Sequence, residues 1–428
     1  MLQKLSLRYG REQLPFTYEG EELQSILPPK REPPLSDEEL IHALKHPINS
    51  SPLNETLRPG QRVLIAVSDI TRSTAMERIF PLLLQELKEC HIPEDRIKFI
   101  FAVGNHRPVL PEEAKAILGE KIYNNFGTLC HSSTDKQGLV KLGKTSFGTE
   151  VSINKEVMES DRVILTGGVG FHYFAGFTGG RKSIFPGLSS YDAILHNHLL
   201  SIDFEKGCLA EGVAPASLDS NPVHKDMMEA CAMVNPDFIV NSVLDEHQRV
   251  VGLFAGHWRA AHLAATRFYS RFHLVPIPEK RELVIVSCGG YPKDINFIQA
   301  HKTIQYASRS LREGGTMIVL AECSRGMGNE DFISWFPVNS AQQLLTRLKT
   351  TFHLNGQTAL ALYTITSRFQ VILVSSFKPH LVKRLGLTPA SSGEEAIDML
   401  DRNLREKKGY LIPQGAVTLP LVKENNDR

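Results

Sequence analysis

The sequence predicts an α/β protein of two domains, each a mostly parallel sheet flanked by helices, with the active site in the interdomain cleft. Three observations predict it. The chain has 428 residues, and at roughly 100–200 residues per domain that length suits two. Continuous apolar runs of strand length recur along it, the mark of strands buried on both faces. Amphipathic stretches of helical period lie between them, and strands alternating with helices build parallel sheets.

The elements follow in order. SLRYGREQLPFTY reads as a short β start. ILPPKREPPLSDEEL reads as a proline-rich loop entering a helix, since Ser36 precedes Asp37, Glu38 and Glu39, and acids favour a first turn. RVLIAV (62–67) is the first buried strand; SDITRST and an amphipathic helix over 75–90 follow it. KFIFAV (98–103) is the second strand, and GNHRPVLPEEA leads from it into another helix. DRVILTGG (161–168) and DFIVNSVLD (237–245) are the third and fourth. The proline-containing segment HLVPIPEKRE (273–282) separates two rounds of the pattern, so the domains are placed at 1–275 and 276–428. The second round comprises a strand at 282–288, a helix at 297–312, a strand at 316–321, a helix at 340–351, a strand at 370–375 and a charged helix at 394–408.

Composition narrows the function. Hydrophobic residues make up 42% and charged residues 22%, values of a globular chain with real cores. Lys+Arg number 48 against 47 Asp+Glu, so no general field draws the chain to nucleic acid or to an anionic membrane, and an anion site must be local. Cysteines 90, 130, 208, 231, 288 and 323 form no C-x-x-C pair and read as reduced thiols of a cytoplasmic protein. MLQKLSLRYGREQLPF holds no apolar run of signal-peptide length, and no stretch of about 18 apolar residues occurs.

Open α/β sheets bind ligands at the carboxyl ends of their strands. Four such ends carry unusual residues: Asp69, Thr71 and Arg72; Asn105, His106 and Arg107; His172, Arg181 and Lys182; and Gln299 with Lys302. Together they point to one site facing an anionic ligand. Taken alone, Asp69 and Arg72 read equally as a helix cap with a surface arginine and as a carboxylate clamp. His106 alone reads as a loop residue or as a proton-transfer group. The stretch 167–187 holds seven glycines in 21 residues, which lets the backbone approach a ligand. Its TGGRKS fails the Walker A pattern, because Arg181 stands where glycine must precede the lysine. Phe171, Tyr173, Phe174 and Phe177 mark it as ordered rather than solvated. His196 and His198 stand two apart, so on a helix only one of them can serve a metal. His224, His257 and His262 read as structural.

SDITR (68–72), VGNHRP (103–108), FHYFAGFTGGRKSIFPGLSSYDAILHNH (171–198) and GGYPKDINFIQAHK (289–302) together resemble the nickel-pincer lactate racemases and their 2-hydroxyacid racemase and epimerase homologues. The resemblance runs in order over nearly the whole chain. It implies an isomerase of 2-hydroxy acids that works by reversible hydride transfer, with nickel and a pyridinium-3-thioamide-5-thiocarboxylate mononucleotide, the nickel-pincer nucleotide. Lys182 matches the lysine that carries this cofactor covalently, and His198 matches the nickel ligand. Asp69, Thr71 and Arg72 match the loop that touches cofactor and substrate carboxylate. His106 and His172 match the two acid/base histidines, one for each enantiomer. Gln299 and Lys302 match the substrate contacts of the second domain, which closes the site over the cofactor- and nickel-binding first domain. Cofactor-biosynthesis proteins are the implied partners, with neither nucleic acid nor membrane.

The chain departs from the family pattern around this set. Ile70-Thr71-Arg72-Ser73 replaces His-Thr-Arg-Pro, Ile298 stands where a tyrosine precedes the glutamine, Gln357 aligns near a tryptophan, and Arg325-Gly326-Met327-Gly328 replaces a D-G-x-G segment. Lost aromatic bulk and an added amide predict a substrate larger or more polar than lactate, such as malate or a sugar acid. The rival reading is a nucleotide- or phosphate-binding protein without racemase activity, with 167–183 as an anion loop and Arg72 and Arg107 as clamps.

Overall fold

The computed structural model describes residues 2–29, 32–351, 353 and 355–423. By its contacts the chain divides into two compact units, one of residues 31–201 and 212–271, the other of residues 1–30, 202–211 and 272–428.

The first unit is built on a six-stranded sheet in the order Val250–Gly256, Phe238–Leu244, Arg162–Gly168, Val63–Val67, Ile97–Phe101, Gly127–Cys130. Every neighbouring pair is parallel except the Val250–Gly256 edge strand. All five residues of Val63–Val67 are buried, as a strand covered on both faces requires. On one face Ile65, Val67, Phe99 and Phe101 pack with Ile79, Phe80, Leu83 and Leu87 of the helix Met76–Glu89. The Phe80 and Phe99 rings meet edge to face at 5.3 Å. Asp37–Lys45 is helical as expected, and its start is a full capping box: Glu39 N–H donates to Ser36 Oγ at 3.2 Å, and Ser36 N–H donates to the Glu39 carboxylate at 2.7 Å.

The second unit carries a fully parallel sheet in the order Thr388–Ala390, Gln370–Val374, Leu311–Leu320, Arg281–Ser287, Gly409–Ile412, Leu23–Ser25. The first residues of the chain therefore go with the second round of the pattern rather than with the first, unlike a single cut at 275. The cause is a ladder: Leu23–Ser25 pairs with Gly409–Leu411. The expected β start is the hairpin Leu2–Tyr9 and Glu12–Glu19, whose Leu7, Phe16 and Tyr18 join the core formed by Leu283, Ile285, Ile318 and Ile372. Residues 202–211 also belong here, with the Lys349 ammonium 5.3 Å from the Phe204 ring. The main switch along the chain falls at Phe272.

The charged helix expected over 394–408 is two short helices, Gly393–Asp398 and Arg402–Arg405. Asp401 accepts from Leu404 N–H at 2.7 Å and so starts a new helix. The Arg405 guanidinium takes up the carbonyls of Ile397 at 2.6 Å and Leu400 at 3.2 Å. Charge periodicity reports a helical face but not a break that a cap and an arginine can bridge.

Ile65 is fully buried at the centre of the first sheet. Ile65→Ala is expected to destabilise this unit by roughly 2–5 kcal/mol, read as a lower urea midpoint. A midpoint unchanged from wild type contradicts this packing.

Candidate active site

Val63–Val67 is flanked by Ile97–Phe101 on one side and Arg162–Gly168 on the other. The chain leaves the central strand in one direction and returns on its opposite side. At such a switch point the loops beyond the carboxyl ends splay apart and leave a crevice. Residues 68–72, 102–107 and 169–183 follow these three strand ends.

The first loop is organised by Asp69, which is 6% exposed. Its Oδ1 accepts from Thr71 N–H at 2.9 Å and from the Thr71 hydroxyl at 2.5 Å. Its Oδ2 takes the Nδ1–H of His106 at 2.5 Å. Burial pushes the Asp69 carboxyl up. The His106 contact, the Thr71 hydroxyl and the Arg72 charge outweigh it and bring the pKa down to about 2. An ionised Asp69 holds the proton of His106 on Nδ1 and leaves Nε2 with its lone pair, the form of a general base. The His106 side chain is half exposed. Sequence reasoning placed both residues here but not their pairing, because they lie 37 positions apart.

The glycine-rich loop carries the next three groups. His172 is buried, and its Nδ1 accepts from Ala175 N–H at 3.2 Å, so the neutral ring carries its proton on Nε2. Lys182 lies in the short turn Gly180–Ser183. Gly179 and Gly180 have φ of +72° and +60°, and a Cβ on Gly180 would stand 2.5 Å from His262 Cγ. Only glycine fits there. The Phe174 ring lies 4.5 Å from that of His172, 5.0 Å from that of His198 and 5.8 Å from Lys182 Nζ.

His198 sits on the helix Tyr191–Leu199. Its Nδ1–H donates to the Ile194 carbonyl at 2.6 Å, which leaves Nε2 as an electron-pair donor. Burial brings its pKa down to about 4, opposed by the Ile194 carbonyl and reinforced by Lys182 and His106. A neutral imidazole with its far nitrogen tied to a backbone carbonyl is the form that ligates metals. His196 is committed elsewhere, to the Thr149 hydroxyl at 2.7 Å. Among the described residues no group of three or more His, Cys, Asp or Glu is arranged to hold a metal ion.

Arg107 is no free clamp. It forms a two-pronged pair with Glu113 at 2.8 and 2.5 Å. Arg72 has no ion pair among the described residues. In the second unit Gln299 and Lys302 share one face of the helix Phe297–Ala307, with Lys302 Nζ donating to Gln299 Oε1 at 2.6 Å.

Two family models match the chain. The model for the lactate racemase N-terminal domain matches residues 9–208, and that for the lactate racemase C-terminal domain matches 278–419. The chain belongs to the lactate racemase family. It is 33% identical over 423 residues to a lactate racemase of Thermoanaerobacterium thermosaccharolyticum, covering 96% of this chain and 97% of that one. To a lactate racemase of Lactiplantibacillus plantarum it is 35% identical over 389 residues, covering 89% and 90%. The structure of the T. thermosaccharolyticum lactate racemase apoprotein matches with a TM-score of 0.89 at 31% identity, covering 99% of this chain and all of that one. A Thermotoga maritima protein shares the fold at 20% identity, with a TM-score of 0.69 over 92% of this chain. Lactate racemases are isomerases, and the chain is an enzyme of that class. No helix among the described residues is long and apolar enough to cross a membrane.

The depressed Asp69 has a measurable signature. Its folded pKa of about 2 lies below the ordinary 3.8. It therefore stabilises the fold above about pH 4, by on the order of 2 kcal/mol, and that contribution fades as pH falls toward 2. Asp69→Asn is expected to remove this part of the acid-side loss in a pH series of urea melts. An identical pH slope in both proteins excludes the pairing.

Proposed function

We propose that the protein is a nickel-dependent racemase or epimerase of a 2-hydroxy acid. The observation that carries this reading is the gathering of His172, His198 and Lys182 around the Phe174 ring, at the switch point that also presents His106. These residues fit a nickel-pincer nucleotide. Lys182 supplies the amine for a covalent tether, and His198 supplies a neutral nitrogen already oriented by Ile194. When bound, the cofactor supplies hydride chemistry at the substrate α-carbon.

The side chains do the rest. His106, held by Asp69 with its Nε2 lone pair outward, accepts the hydroxyl proton of the substrate. His172 is the second acid/base histidine that the resemblance assigns, and in its neutral form its Nε2–H can hydrogen-bond a substrate oxygen. One histidine for each enantiomer suits a reaction that must run from either. Arg72, unlike Arg107, retains its guanidinium for a carboxylate. Gln299 and Lys302 are assigned to the substrate by the family resemblance. The phosphate-binding alternative loses one of its two clamps to Glu113.

Production together with the cofactor-biosynthesis proteins tests the reading. His106→Ala and His172→Ala are each expected to lower racemisation by at least about 10²-fold, while nickel stays bound. Full activity in either removes that histidine from proton transfer. Deuterium at the substrate α-carbon is expected to stay with the product, and rapid exchange with water indicates a carbanion route.

Lys182→Arg is expected to lack the covalent mass that the wild-type protein carries, because guanidinium does not offer the required amine. His198→Ala is expected to keep that mass and lose nickel. An unmodified Lys182 in active wild-type enzyme rules the tether out. In a substrate panel, Ile298 and Gln357 lead us to expect a 2-hydroxy acid larger or more polar than lactate to be preferred. A wide preference for lactate overturns that expectation.

A further inference from the structure

Arg181 is fully buried, yet it forms no ion pair among the described residues. The guanidinium is spent instead on backbone carbonyls. Nη2 donates to Ala175 O at 2.8 Å, and Nη1 donates to Phe177 O at 3.0 Å and, more loosely, to Gly179 O at 3.5 Å. Nη1 also lies 3.3 Å from His262 Nε2, and His262 Nε2 lies 3.0 Å from Thr178 O. Burial lowers the Arg181 pKa to about 9, a sign of how unfavourable the place is for a cation. A side chain that only filled core volume would be apolar.

The three carbonyls belong to the loop between His172 and Lys182, and Ala175 is the link to chemistry. Its carbonyl is held by Arg181, and its N–H donates to His172 Nδ1 at 3.2 Å. At the other end of the loop Arg181 is bonded to Lys182 through the chain. We propose that Arg181 is a positioning residue: through Ala175 it fixes the tautomer and orientation of His172, and through the closed loop it fixes the approach of Lys182. Arginine suits the task because its planar fork presents several N–H groups in diverging directions. A lysine ammonium is a point charge on a shorter reach and cannot span the same carbonyls. His262 and Gly180 close the clasp from beneath, since the imidazole occupies the space a Cβ at 180 would need.

The proposal rests on the assignment of His172 and Lys182 above, but its first measurement does not depend on activity. Nitrogen-15 NMR of histidine-labelled apoprotein, with His172→Gln to assign the signal, reads the tautomer. The wild-type ring is expected to show an unprotonated Nδ1 and a protonated Nε2. A proton on Nδ1 overturns the relay whether or not any variant folds. Arg181→Gln, which removes the buried charge, and Arg181→Lys, which keeps it, are then compared. Both are expected to lose the single tautomer. In the loaded enzyme both are expected to lower kcat by about 10- to 100-fold with KM changed by less than about 3-fold, the pattern of a misplaced reacting group. A variant that keeps the wild-type tautomer, or wild-type kcat, overturns the proposal. A tautomer shift in a protein without racemase activity leaves the positioning role standing and refutes the proposed function instead.

Discussion

A parallel strand buried on both faces can offer chemistry only where it ends. Val63–Val67 is such a strand, with no residue of it open to solvent, and the chain departs and returns on opposite sides of it. That constraint makes three loops begin together at one end of the first sheet. The polar residues of 68–72, 102–107 and 169–183 have nowhere else to converge. The apolar core beneath them is thus what gathers the charged and titratable groups above.

Within that gathering each histidine has one nitrogen tied off. His106 gives its Nδ1–H to Asp69, His198 gives its Nδ1–H to Ile194 O, and His172 receives an N–H from Ala175 on Nδ1. Three rings of identical chemistry are set apart by what stands behind them: a carboxylate, a carbonyl and an amide N–H. A carboxylate or carbonyl at Nδ1 leaves the lone pair of the neutral ring on Nε2, and an N–H at Nδ1 leaves its proton there. The arginines divide in the same way. Arg107 is occupied by Glu113 and Arg181 by the backbone, whereas the Arg72 charge acts on the Asp69 carboxylate.

The legible part of the fold is where local pattern and final environment agree. RVLIAV, KFIFAV and DRVILTGG could only be buried strands, and Ser36 before three acids could only open a helix. The break at Leu400–Asp401 and the return of Leu23–Ser25 to a strand near residue 410 were not legible. The first depends on one cap and one arginine that charge periodicity does not distinguish from a continuous helix. The second is a pairing across nearly the whole chain, and periodicity carries no information about partners.

The site divides along the same line. The sequence by itself determined which residue types stand after which strands, and its glycine density and its four motifs identified the family. Lys182, His106, His172 and His198 were all visible in it as chemically apt groups. Only the tertiary structure decided what each of them is bonded to. The Asp69 carboxylate beneath His106, the Phe174 ring among three functional groups and the turning inward of Arg181 all join residues through space. Proton position, charge and orientation depend on such neighbours, because a titratable group takes its form from the dipoles and charges within a few ångströms of it.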